Sequence, residues 1–223
     1  MDTGTNHATI AERVAQLQNG IAGQLPGDVL KTFGAEQDAL QAAGVPAGVA
    51  APGRPMPDAQ LLDVHGAPTT LASAMRGRAA VVVFYRGAWC PFCNLTLRAY
   101  QEELVPLLAQ RDIPLVAISP QTPDGSLSAQ EQNALTFTVL SDPGNQIAAA
   151  LGVLTAPDGA ARAAQLTIGL DLSRANADGT HGLPMPTVVI VDGAGIIRWI
   201  DVHPNYTTRT EVADIVDALR VLD

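Results

Sequence analysis

Cys90 and Cys93 stand in Trp89-Cys90-Pro91-Phe92-Cys93, directly after the apolar run Val81-Val82-Val83-Phe84-Tyr85. Two thiols separated by two residues can share the first turn of a helix, where they cycle between dithiol and disulfide at little geometric cost. A C-x-x-C at a strand-to-helix junction therefore reads as a redox motif. The unpaired N–H groups and dipole of a helix N-terminus favour negative charge, so this placement predicts a lowered pKa at Cys90, the residue at the helix entry. Cys93, a turn further in, is expected to be shielded and poised to resolve a mixed disulfide. Arg86 adds a positive field if it points inward, and Trp89 shields the disulfide and offers a flat docking surface. The alternatives are a pair of packed core thiols or half of a zinc site. Zinc needs four ligands, and His65, His181 and His203 show no ligand spacing that would complete the set.

With 47% hydrophobic and 16% charged residues in 223, the chain has the composition of a globular protein with a full core. The net charge of -9 and the lack of a basic stripe argue against nucleic acid or an anionic membrane surface as a partner. No apolar run is long enough to span a bilayer. Met1 to His7 is polar and lacks the basic flank and apolar core of a signal peptide. The expected compartment is the cytoplasm, where thiols rest reduced.

The elements that must position the cysteines follow from hydrophobic periodicity. Ile10, Val14, Leu17, Ile21 and Leu25, then Val29, Leu30, Phe33 and Leu40, recur at helical steps. They predict two helices broken at Leu25-Pro26-Gly27-Asp28, with Asp28 as cap, packed on the domain or on a second subunit of a homodimer. Residues 1–45 thus form a helical extension, 46–57 a Gly/Pro-rich linker, and 58–223 the main domain. Within it, residues 60–64 and 68–71 read as a hairpin and 80–85 as a buried strand. A helix from Pro91 to about Arg111 follows, kinked or ended near Pro106. Residues 113–119 form a strand, 124–135 a helix, 137–142 a short strand and turn, and 145–151 a short helix. Residues 187–191 and 196–202 are strands around the turn 192–195, and 210–222 is a closing helix. The Gly/Asp/Ala-rich stretch 155–183 has no clear assignment. Strands alternating with helices, then a hairpin and helix, predict an α/β fold with a central mixed sheet flanked by helices.

Other residues carry weaker signals. Arg209 is either an anion contact near the site or a partner of Glu211 on a solvated helix start, and the latter is the preferred expectation. Glu102-Glu103 reads as a wet helix face. Gly193-Ala194-Gly195 sits in a hairpin turn where positive φ calls for glycine. Pro186 stands at the mouth of a strand, where it cannot join the hydrogen-bond ladder.

The segment Phe84-Tyr85-Arg86-Gly87-Ala88-Trp89-Cys90-Pro91-Phe92-Cys93 resembles the active-site segment of peroxiredoxin-like proteins of the AhpC/TSA group, within the thioredoxin-fold superfamily. The resemblance extends through Leu140-Ser141-Asp142, Leu183-Pro184-Met185-Pro186, Ile190-Val191-Asp192-Gly193 and His203 to Arg209, and covers most of the chain from Asp58. It implies a thioredoxin-like fold and an antioxidant thiol enzyme without a bound cofactor. In thioredoxin-like proteins an X-Pro-Thr such as Met185-Pro186-Thr187 holds a cis peptide facing the C-x-x-C. Against the peroxiredoxin pattern, Cys93 takes the place of the peroxidatic cysteine and Cys90 that of the activating threonine. Arg86 replaces the loop proline, and the activating arginine's position falls at Pro186. The groups that polarise the O–O bond are therefore expected to be missing. Phe84 stands where thioredoxin has a buried acid.

Two mechanisms follow from the resemblance. In the first, Cys93 thiolate attacks a hydroperoxide and Cys90 condenses with the sulfenic acid. In the second, Cys90 attacks a disulfide substrate and Cys93 resolves it. Either leaves a Cys90–Cys93 disulfide, which an external thiol such as thioredoxin or glutathione must reset. A third reading is a non-catalytic, redox-sensing interaction module. Cys90 and Cys93 are the expected catalytic pair, and Trp89, Pro91, Pro186, Thr187 and Arg86 shape the site.

Overall fold

A computed structural model of the chain describes residues 8–223. The N-terminal helices are α1 (Ile10–Ala22) and α2 (Gly27–Ala43). Thr9 caps α1 in a reciprocal capping box with Glu12. The expected cap Asp28 lies instead in the first turn of α2, because Pro26 holds the extended conformation that starts the helix one residue before it. Both helices pack on the domain. Ile10 and Val14 enter the core beside the helix that carries the cysteines, and the Glu211 carboxylate accepts hydrogen bonds from the N–H groups of Ile10 and Ala11 at 2.8 Å each. Residues 46–57 are tied down rather than loose: Ala50 donates to Leu151 O, and Gly53 donates to Ile197 O.

The chain continues through β1 (Gln60–Leu62), β2 (Pro68–Thr70), α3 (Leu71–Met75), β3 (Ala80–Phe84) and α4 (Pro91–Ala99). A π-helical turn, Tyr100–Leu104, leads into α5 (Val105–Gln110). Pro106 offers no N–H and its ring crowds the carbonyl one turn back, and the wider turn before it carries the helix through. Then come β4 (Leu115–Ser119), α6 (Pro123–Gln132), β5 (Thr138–Ser141) and α7 (Gln146–Leu151). The stretch left without assignment folds as β6 (Leu154–Thr155), α8 (Gly159–Thr167), α9 (Leu172–Ala175) and β7 (Leu183–Pro184). Asp158 caps α8 by accepting from Ala161 N–H, and α2 packs on that helix. The chain ends with β8 (Thr187–Val191), β9 (Ile197–Val202), α10 (Val212–Ala218) and a 3₁₀ turn, Leu219–Leu222.

The main sheet has the order β2-β1-β5-β4-β3-β8-β9. β3, β4 and β5 run parallel, whereas β8 pairs antiparallel with β3 and β9. Every residue of β3, β4 and β8 is buried, as a central strand covered on both faces must be. The pleat sends successive side chains to opposite faces. Val81, Val83 and Tyr85 join α1, α4 and α10 in one core layer, while Ala80, Val82 and Phe84 join α3 and α7 in the other. Because β3 and β4 are parallel neighbours, Arg86 and Gln121, just beyond their carboxyl ends, arrive at the same edge of the sheet.

Candidate active site

Cys90 is the N-cap of α4, Pro91 its first helical residue, and Cys93 lies within the first turn. Proline suits that position, since its missing N–H would find no intrahelical partner anyway. Both cysteines are free and both are 1% exposed. The Cys93 and Asn94 N–H groups each donate to Cys90 O at 3.1 Å, closing the turn tightly around the sulfurs.

A buried polar network supports the loop that leads into this turn. Gln121 Oε1 accepts from Ala88 N–H at 2.7 Å, and Gln121 Nε2 donates to Tyr85 Oη at 2.8 Å. Ser126 and Ser141 hydrogen-bond to each other just behind it. From the other side, Asn94 Nδ2 donates to Ala88 O at 2.7 Å. Burial pushes the Tyr85 hydroxyl up to about 12, so it stays protonated. Gly87 is required where the loop closes, because a Cβ there would lie 2.5 Å from Trp89 Nε1 and 3.2 Å from Gln121 Oε1. None of this network was expected from the sequence, although Gln121 follows β4 as Arg86 follows β3.

Two arginines converge on the sulfurs. Arg209 Nη2 donates to Cys93 Sγ at 3.4 Å, while Nη1 donates to Thr208 O at 2.6 Å and also to Tyr206 O. The expected Arg209–Glu211 pair does not form, since Glu211 is spent on the start of α1. The loop carrying Arg209 is held by His203, whose ring bonds Asp201 Oδ2 at 2.9 Å and Thr208 Oγ1 at 2.8 Å. Arg86 points inward, the condition under which it adds a positive field, and is 6% exposed. Its guanidinium stacks 3.8 Å from the Tyr206 ring centroid and 5.0 Å from that of Trp89. Tyr206 in turn donates to Glu36 Oε2 at 2.8 Å, tying α2 to the site.

The ordering of the two thiols reverses the sequence expectation. Burial drives the Cys90 pKa well above its ordinary value, and donating its proton to the Cys93 sulfur drives it further. Burial also pushes Cys93 up, and it is the strongest single influence there. The hydrogen bond from Cys90, the Arg209 charge, the Arg86 backbone amide and the Arg86 charge together outweigh it and bring Cys93 down to about 5. The helix terminus does favour a thiolate, but the sulfur that receives the cationic contact is the inner one. The cation expected to be missing is present, delivered by the loop after β9 instead of the residue at Pro186.

Pro186 and Thr187 lie near Cys93 at the head of β8, but no cis peptide occurs among the described residues, so the expected cis bond at Pro186 is absent. The role left to Pro186 is to accept from His203 N–H at 2.9 Å, and Thr187 Oγ1 donates to Met185 O at 2.8 Å. These residues share with Cys93 and Arg209 a space of about 10 Å³. A separate cavity of about 1150 Å³ lies under α1 and α2, and Cys90, Pro91, Trp89 and Arg86 are on its wall. Among the described residues, no group of three or more His, Cys, Asp or Glu is placed to hold a metal ion.

A mixed sheet whose central strand feeds a two-cysteine turn at a helix N-terminus defines a thioredoxin-fold, peroxiredoxin-like protein. The model of the AhpC/TSA family matches residues 52–200, and the chain belongs to that family. A Mycobacterium tuberculosis (strain H37Rv) protein provisionally named as a peroxiredoxin is 32% identical over 101 residues. Those residues are 45% of this chain and 63% of that relative, so the chain spans less than two thirds of the curated relatives it matches. Among solved structures, peroxidoxin BcpB from Mycobacterium tuberculosis superposes with a TM-score of 0.57 at 20% identity, covering 77% of this chain and 95% of that one. A peroxiredoxin-like protein from Aquifex aeolicus gives 0.61 at 15% identity, with coverage of 78% and 89%. At these identities the structural likeness establishes the fold. No helix among the described residues is long and apolar enough to cross a membrane.

Proposed function

We propose that the protein is a thiol-dependent hydroperoxide reductase in which Cys93 attacks first and Cys90 resolves. The observation that carries this reading is Arg209 Nη2 on Cys93 Sγ, a contact that Cys90 does not share. Cys93 thiolate attacks the terminal oxygen of the peroxide, the O–O bond breaks, and the alkoxide or hydroxide leaves and takes up a proton. Sulfur is oxidised to sulfenic acid and the peroxide is reduced. The Cys90 sulfur then attacks the Cys93 sulfenic sulfur, the S–S bond forms, and water leaves with the Cys90 proton. An external thiol, thioredoxin-like or of low molecular weight such as glutathione, returns two electrons, and cytoplasmic residence would keep such donors available.

Disulfide reductase activity is disfavoured because it would require Cys90 as the attacking thiolate, and burial holds that thiol protonated. The test is a pair of variants. Cys90→Ser should still be sulfenylated by hydrogen peroxide, while Cys93→Ser should neither be sulfenylated nor consume peroxide. A mixed disulfide with a protein disulfide substrate accumulating through Cys90 in Cys93→Ser would assign the protein to disulfide reduction instead.

A further inference from the structure

The two cysteines border different spaces. Cys93 lines the small space beside Arg209, and Cys90 lines the large cavity, with neither residue on the wall of the other space. The cavity is roofed by Leu17 and Ile21 of α1 and by Leu30 and Phe33 of α2, with Trp89 and Phe92 on its floor. Its volume exceeds the roughly 300–1,000 Å³ of common small-molecule sites. Arg86 brings a cation to this apolar wall and makes no ion pair or side-chain hydrogen bond among the described residues beyond its stacking on Trp89 and Tyr206.

We propose that this cavity admits the reductant: a low-molecular-weight thiol with an apolar body and an anionic group, which attacks Cys90 Sγ of the oxidised protein from the cavity side. The inference deepens the reading of the site as a dithiol cycle and rests on it. The reductant sulfur forms a bond to Cys90 Sγ, the Cys90–Cys93 bond breaks, and Cys93 leaves with the electron pair. A second equivalent of thiol attacks the mixed disulfide, releasing the reductant as its own disulfide and Cys90 as a thiol after protonation. Cys93 is the better leaving group of the two, since its thiolate is the more stable.

Charge supports the same direction. In the reduced protein the Cys93 thiolate offsets part of the charge of the converging arginines. In the disulfide that negative charge is gone while Arg86 and Arg209 remain, so the oxidised state is the one that attracts an anion. A carboxylate meeting Arg86 at this largely apolar wall supplies the kind of charge that oxidation removed. Access supports it too: a cysteine 1% exposed beneath two helices is reached by a small molecule inside the cavity more readily than by a folded protein.

The disulfide is prepared with diamide, which needs no peroxidase activity, and its reduction is followed by stopped flow. The thiols compared are 8-mercaptooctanoate, 8-mercaptooctanol, 3-mercaptopropionate, glutathione and a thioredoxin. After correction for thiol pKa, 8-mercaptooctanoate should exceed 3-mercaptopropionate and glutathione by about tenfold or more, as burial of its extra methylenes requires. It should also exceed the uncharged octanol, and its adduct should map to Cys90 by mass spectrometry. In Phe33→Trp, which fills the cavity, the ratio of mercaptooctanoate to mercaptopropionate rates should shrink, a ratio that general misfolding does not mimic. An adduct on Cys93, equal rates for the long and short acids, or faster reduction by thioredoxin or glutathione would overturn the proposal. Failure of hydrogen peroxide to oxidise the protein would instead defeat the peroxidase reading and leave this result interpretable.

Discussion

Arg209 and Cys93, 116 residues apart in sequence, meet at 3.4 Å, and that contact sets a guanidinium against one of two neighbouring thiols. The helix N-terminus alone favours Cys90, its N-cap residue. The guanidinium is set against Cys93 instead, and it is locked by donating to two carbonyls of its own loop.

The first prediction concerns this contact. With its pKa at about 5, Cys93 is thiolate at neutral pH and becomes protonated as the pH falls through that value. Iodoacetamide alkylation of Cys93, read by mass spectrometry, should therefore be flat above about pH 6 and decline below about pH 5, as expected for one ionisation. Arg209→Met removes a cause of the lowering, so the inflection moves up. Below the new inflection each unit of rise costs about tenfold in thiolate. Alkylation at pH 5 should be slowed about tenfold or more, with near wild-type rates restored at high pH. An unchanged profile would remove Arg209 from the activation of Cys93.

Gln121 is the second target. Its amide satisfies Ala88 N–H and Tyr85 Oη in a buried setting. Gln121→Leu keeps much of the volume and strands both groups, which should cost about 2–4 kcal/mol in denaturant unfolding for two unsatisfied polar groups. Gln121→Glu should be harmful as well, because it places an ionisable carboxyl at a position only 2% exposed. If Gln121→Leu unfolds like wild type, the network is not what fixes the loop before Cys90.

The α/β order and the dithiol junction were legible because local patterns report them. An unbroken β-branched run marks β3, and C-x-x-C after it marks the turn. Helix α8 was not legible, since its alanines and glycine give weak periodicity, although Asp158 at its cap was a usable signal. The order of the thiols failed for a different reason. The sequence places Cys90 at the helix dipole, but both thiols are equally dry in the fold, and what separates them is the Arg209 contact on Cys93 that only the tertiary structure supplies. The site contact of Arg209 ranked second in the sequence because Glu211 two residues away offered a local partner. Only the tertiary fold shows that Glu211 is committed to Ile10 and Ala11.

That commitment supplies the third prediction. Glu211 places a carboxylate on the first N–H groups of α1, where both hydrogen bonds and the helix dipole favour it. Glu211→Ala should cost about 1–2 kcal/mol, the usual worth of a lost cap. Hydrogen exchange should show the loss first in residues 10–22, and only weakly in β3 and β4. Because α1 supplies Leu17 and Ile21 to the roof over Cys90, alkylation of Cys90 should also speed up in this variant. Uniform loss of protection across the domain would mean that α1 is no separate unit of stability.

The last prediction follows from the size of the space at Cys93. About 10 Å³ is close to the minimum that holds one water molecule. An oxidant arriving there must be small, so hydrogen peroxide should oxidise Cys93 faster than cumene hydroperoxide by about tenfold or more, a barrier difference of only ~1.4 kcal/mol. Thr187→Ser trims a methyl group from this space, and serine can still donate to Met185 O. The substitution should therefore raise the rate for the bulky peroxide relative to hydrogen peroxide. Stopped-flow fluorescence under single-turnover conditions gives both constants. Should cumene hydroperoxide match hydrogen peroxide in the wild-type protein, the oxidant must enter past Cys90 through the large cavity, and the two sulfurs would then share one entrance.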